Sequence, residues 1–220
     1  MASLWFVFIG AWTLYHHYNA GVHVENIFLQ GNLYSPYFIF IFIGLIFGFA
    51  GDVLLAFRNL FLGKKKQLIA AGMITFGLGH LAYMIAPAIT LAADSPIWLA
   101  VPCISGIIIA LASTKLAPRL NMDYGRFKAP VLIYSFIILF LLFSVTINCI
   151  LHAHHSSSGI LAWIPMIPVL LFTVSDFMLS TNYFDKDQKP MSTGQIILIH
   201  VTYYLAQLLF ALGWTLPYPG

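Results

Sequence analysis

All ten Lys and Arg residues fall in three of the gaps between long apolar runs. Arg58, Lys64, Lys65 and Lys66 follow the second run, Lys115, Arg119, Arg126 and Lys128 the fourth, and Lys186 and Lys189 the sixth. The alternate gaps, 21–36, 91–96 and 151–158, hold neither residue type. A chain threaded back and forth through a bilayer produces this alternation, with its basic side cytoplasmic. The runs lie at approximately 3–20, 37–57, 67–90, 97–114, 129–150, 159–183 and 194–214. Each is near the roughly 20 residues that cross a hydrocarbon core. The predicted fold is all-α: a polytopic transmembrane helical bundle of about seven spans with a cytoplasmic N-terminus.

Composition agrees. Of 220 residues, 60% are hydrophobic and only 8% charged, against about 25% charged in a soluble domain. The gaps are too short for a second domain, so residues 1–220 read as one integral membrane unit. The first run begins at Ser3 without a basic flank and reads as a spanning helix rather than a cleaved signal. Region 67–93 is long for one helix, and Pro87 is placed to kink or end it. A net charge of +3 gives no reason to expect nucleic acid as a partner.

Two acids break the apolar runs. Asp52 and Asp176 sit well inside spans, whereas Glu25, Asp94, Asp123, Asp185 and Asp187 fall where water reaches them. An acid at bilayer depth costs roughly 2.5–3.5 kcal/mol on insertion scales and marks a functional site. At 1.5 Å per residue, Asp52 and Asp176 lie roughly 9 and 12 Å from the inner ends of their spans. Tyr203 comes out at roughly 14 Å and His80 at roughly 20 Å on the same scale. A shared pocket opening inward is the simplest arrangement for these four.

Helical spacing adds detail. Gly44, Gly48 and Gly51 form a small-residue face beside Asp52, suited to close helix contact. Asp176, Ser180 and Tyr183 share a face, and Pro165 and Pro168 are expected to bend that span. His200, Tyr203 and Gln207 form a stripe in the last span, either interhelical glue or a cavity lining. His152, His154 and His155 lie in an outer gap, on the other side from the pocket. Asp52, His80, Asp176 and His200 have the ligand types of a zinc site, but no H-x-x-x-H or H-E-x-x-H pair supports one. No metal or other cofactor is expected.

The ordered set Gly51-Asp52, Gly72, Phe76, His80 and Tyr83, Ser175-Asp176, Asn182 and Phe184, then Thr202-Tyr203-Tyr204-Leu205-Ala206-Gln207 resembles the YhhN-like lysoplasmalogenase family. The resemblance covers about 45–90 and 165–213. It implies a membrane enzyme that hydrolyses the vinyl ether bond of lysoplasmalogens to a fatty aldehyde and glycerophosphocholine or glycerophosphoethanolamine. It makes Asp52 and Asp176 the catalytic candidates and His80, Tyr83, Asn182, Tyr203, Tyr204 and Gln207 candidates for contacting a lysophospholipid substrate. Tyr183 departs from the pattern, which has a basic residue between Asn182 and Phe184.

The residues suit that chemistry on their own terms. Protonating the β-carbon of a vinyl ether gives an oxocarbenium ion, water adds, and the hemiacetal collapses to aldehyde and alcohol. The first step needs an acid still protonated near neutral pH, which an apolar setting favours. The second needs an anion beside the cation and a base for water, as paired carboxyls supply in glycosidases. Asp176, being deeper, is expected to be the acid, and Asp52, nearer the cytoplasm, the base. The rival readings are a proton-coupled transporter using the same acids, a metal-dependent intramembrane lipid hydrolase, and a non-catalytic scaffold. Short loops and the absence of an Asn-x-Ser/Thr sequon favour a bacterial inner membrane over the endoplasmic reticulum.

Overall fold

The computed structural model describes residues 2–19, 34–57, 60–155, 159–187 and 189–212. These form helices α1 (Ala2–Asn19), α2 (Tyr34–Phe57), α3 (Lys65–Asp94), α4 (Ala100–Leu116), α5 (Lys128–His155), α6 (Met166–Tyr183) and α7 (Thr193–Ala211). Short 3-10 turns at Leu62–Lys64, Pro96–Leu99, Ala117–Leu120, Gly125–Phe127 and Gly159–Trp163 punctuate the connections. Six helices, α2 to α7 with their flanking turns, are long and apolar enough to span a membrane. The first expected span is a helix but falls short of that standard, because its last residues include Tyr15, His16, His17 and Asn19. It nevertheless packs along α2 and α7 as part of the bundle.

Contacts fix the direction of each helix. Phe6 meets Tyr204 and Thr13 meets the Ala211 carbonyl, so α1 runs parallel to α7. Tyr203 reaches Asp52 while Gln207 packs over Gly48, so α7 and α1 both run antiparallel to α2. Gly51 faces the Phe76 ring and Gly72 faces Leu55, which sets α2 antiparallel to α3. Gly79 meets the Gly44 carbonyl 3.2 Å from where its Cβ would stand. Glycines from both helices thus let α2 and α3 approach backbone to backbone. Tyr134 and Asn148 of α5 reach His80 and Pro87 of α3 in the same order, so those two run parallel. Successive helices therefore alternate, which gathers the basic connections at one end.

Pro165 and Pro168 behave differently from expectation, and Pro87 does not end its helix. α3 continues through Pro87 to Asp94 instead of ending there, with the Pro87 carbonyl accepting from Thr90 Oγ1 at 2.8 Å and Asn148 Nδ2 at 3.3 Å. Pro165 is the N-cap of α6 and Pro168 lies in its first turn. First-turn N–H groups have no intrahelical partner, so proline costs nothing there. The two prolines start α6 rather than bend it.

The densest apolar packing sits toward the outer end. Tyr37, Phe38, Ile41 and Leu45 of α2 meet Tyr83 and Ala86, Leu141 and Val145, Val169 and Phe172, and Phe210. The inner end is closed by a polar clasp. Asn121, left-handed at φ 59°, donates from Nδ2 to Asp185 Oδ1 and Asp187 Oδ2 at 2.9 and 3.0 Å. The Asp123 N–H donates to the Phe184 carbonyl at 2.8 Å and the Lys186 N–H to the Asn121 carbonyl at 2.9 Å. These bonds tie the α4–α5 connection to the end of α6. Ser192 and Gln195 then start α7 with a reciprocal capping box.

Candidate functional site

His80 projects from the middle of α3 and is only 1% exposed. Its Nδ1 sits on the Phe76 carbonyl one turn earlier. A carbonyl only accepts, so Nδ1 carries a hydrogen. Its Nε2 lies 2.9 Å from Asp176 Oδ2. Tyr134 of α5 completes the group, donating from Oη to the same oxygen at 2.8 Å and standing 3.3 Å from Nε2. The tyrosine brings one hydrogen to these three contacts. With no other, a nitrogen lone pair would face a carboxylate lone pair at 2.9 Å. A further proton therefore lies between His80 and Asp176, giving either an imidazolium with a carboxylate or an imidazole with a carboxylic acid. Asp176 keeps 13% side-chain exposure, so this proton is sheltered but reachable.

Asp52, in the last turns of α2, has partners of another kind. Tyr203 Oη of α7 donates to its Oδ2 at 3.3 Å, and the hydroxyl of Ser3 from α1 stands beside its carboxyl. The tyrosine brings its own hydrogen, so a bare carboxylate satisfies it. Among the described residues no hydrogen bond joins the two carboxyls directly. Aromatic rings link their surroundings: Phe172 lies 4.6 Å from the His80 ring and 5.8 Å from the Tyr203 ring, centroid to centroid. Phe76 meets Tyr203 edge-on at 6.1 Å.

The remaining candidates spread outward from this centre. Tyr83 is buried, stacks on Phe210 at 4.4 Å, and donates to Gln207 Oε1 at 2.7 Å. Gln207 packs over Gly48 with its Nε2 unpartnered. Tyr204 stands beside Tyr203, Phe6 and His200. Asn182 donates to the Met178 carbonyl of its own helix at 2.8 Å. His200 is exposed and engages the Ile196 carbonyl at 2.7 Å. The expected His200–Tyr203–Gln207 stripe thus spans three environments, from exposed to buried. One turn from Asp176, Ser180 stands beside the Tyr124 hydroxyl. Burial raises the Tyr124 phenol above its ordinary value, with the nearby Ser180 hydroxyl partly offsetting this.

Sequence reasoning missed Tyr134 and Ser3. Tyr134 lies in Val131-Leu-Ile-Tyr-Ser-Phe136, where its hydroxyl was a readable signal but its direction was not. Among the described residues no three His, Cys, Asp or Glu side chains converge as metal ligands. The arrangement has one cluster that holds a proton and one carboxylate that needs none.

A model of the YhhN family matches residues 22–214. No curated protein matches the chain, and no solved structure does.

Proposed function

The chain belongs to the YhhN family, and from that premise we propose that it is a membrane hydrolase cleaving the vinyl ether bond of lysoplasmalogens. The observation that carries this reading is the 2.9 Å contact between His80 Nε2 and Asp176 Oδ2, which calls for a proton between them. Vinyl ether hydrolysis begins with proton transfer to carbon, so the site must hold a proton ready in an apolar setting. The His80–Asp176 pair delivers it to the β-carbon, while Tyr134 supports the carboxyl oxygen left behind.

The resulting oxocarbenium ion is stabilised by the Asp52 carboxylate, and its aldehyde carbon is then attacked by water. Asp52 takes one water proton and passes it to the glycerol oxygen as the hemiacetal collapses. The other water proton returns to the His80–Asp176 pair, so atoms and charge balance over the cycle. General acid–base catalysis of this kind contributes about 10²–10⁴-fold. The alkenyl chain has Phe76 and Phe172 to pack against, and the headgroup has the basic inner edge within reach.

The test is aldehyde release from a 1-alkenyl-lysophospholipid by purified protein, with a 1-acyl-lysophospholipid as control. Aldehyde from the alkenyl lipid alone is expected. If folded protein leaves that lipid intact, the hydrolase reading fails, and proton flux in liposomes then tests the transporter.

A further inference from the structure

Helix α1 precedes the segment that matches the family, yet it reaches the site. Its placement on α2 follows from Gly10 packing on Leu45 and Phe42 and from α1 running parallel to α7, which is itself antiparallel to α2. Continuing that antiparallel register brings the first turn of α1 alongside Asp52. Ser3 there is only 5% exposed, and its hydroxyl stands beside the Asp52 carboxyl. Further along, Phe6 packs against Tyr204 at 6.0 Å, and Thr13 Oγ1 lies 2.8 Å from the Ala211 carbonyl at the end of α7. The same helix therefore braces α7, which supplies Tyr203 to Asp52.

We propose that Ser3 is a positioning residue whose hydroxyl donates to the Asp52 carboxylate alongside Tyr203, making α1 part of the catalytic site. This rests on the hydrolase reading for its consequence, since Asp52 must face both the oxocarbenium ion and the attacking water. The Tyr203 contact is long at 3.3 Å, so a single donor leaves the carboxylate free to turn. A second donor on another helix removes that freedom. Orientation of a reacting group affects the chemical step more than binding, so the effect belongs in kcat.

Full-length Ser3→Ala and Ser3→Thr are compared with wild type for aldehyde release, and Ser3→Ala is combined with Asp52→Asn for thermal unfolding in detergent. Ser3→Ala is expected to lower kcat about tenfold with KM unchanged, and Ser3→Thr, which keeps the hydroxyl, to restore it. The Tm loss from Ser3→Ala is expected to shrink when Asp52 is already Asn, as groups in contact behave. An unchanged kcat, equal losses in kcat for Ser3→Ala and Ser3→Thr, or a Tm loss independent of Asp52 each overturn the proposal. If wild type releases no aldehyde, the hydrolase reading falls, and the Tm coupling alone decides whether Ser3 holds Asp52.

Discussion

Asp176 and Asp52 are the same side chain at similar depth, yet their neighbours ask opposite things of them. Asp176 faces a ring nitrogen whose partner nitrogen is already committed as a donor to the Phe76 carbonyl. It can meet that nitrogen only across a proton. Asp52 faces the Tyr203 hydroxyl, which arrives with a hydrogen of its own, and has the Ser3 hydroxyl beside it. Two carboxyls alone do not define acid and base; the atoms opposite them do. On the proposed hydrolase reading, the difference gives Asp176 the role of proton source and Asp52 that of anion and base.

Removing the proton-holding side breaks the comparison hardest. Asp176→Asn is expected to lower kcat for aldehyde release by about 10²–10⁴-fold, since an amide carries no transferable proton. Asp52→Asn is expected to cost about 10²-fold, the scale of losing one electrostatic partner of the developing charge. Steady-state kinetics on both variants checks the order; a larger loss at Asp52 would invert the roles.

The supporting tyrosines sharpen the contrast at a lower level. Tyr134→Phe removes a 2.8 Å bond to Asp176 and is expected to lower kcat about tenfold. Tyr203→Phe removes a 3.3 Å bond to Asp52 and is expected to lower it about threefold. Equal effects would mean that hydrogen-bond length does not track function here. Outside the chemistry, Gly44→Ala would push a methyl into the Tyr83 ring. It is expected to lower Tm through an overpacking cost of about 1–3 kcal/mol, read by thermal unfolding in detergent.

The smallest effect belongs to the inner clasp. Lys189 and Asn121 hold the Asp187 carboxyl below its ordinary value of 3.8. A depressed carboxyl contributes stability that is full above the unfolded value and lost as pH falls through the folded one. Both members of the pair are exposed, where such pairs contribute little. Asp187→Asn is expected to lower Tm slightly at neutral pH and not at all below the carboxylate range. Added salt should shrink the difference further.

The bundle was legible because bilayer physics writes itself into composition: apolar runs set the spans, and the alternating basic gaps match helices that alternate in direction. Asp52, Asp176 and His80 were legible for the same reason, being costly where they stand. Tyr134 was not, because a tyrosine in an apolar run reads alike whether it faces lipid or a buried acid. Only the rotation of α5 against α3 and α6 separates the two. Ser3 was hidden more deeply, since its role depends on how α1 packs along α2. Pro165 and Pro168 misled because the start of α6 at Met166 could not be read from hydropathy, which runs unbroken through Gly159–Trp163.

The most direct test of the central claim is turnover of a 1-alkenyl-lysophospholipid in D2O by wild type and Asp176→Asn. A proton held by His80 and Asp176 and delivered to carbon places one deuterium on the carbon beside the aldehyde carbonyl. Wild type is expected to release such an aldehyde, and Asp176→Asn to release almost none while staying folded. Near-normal turnover by Asp176→Asn, or wild-type aldehyde without deuterium at that carbon, would contradict the account.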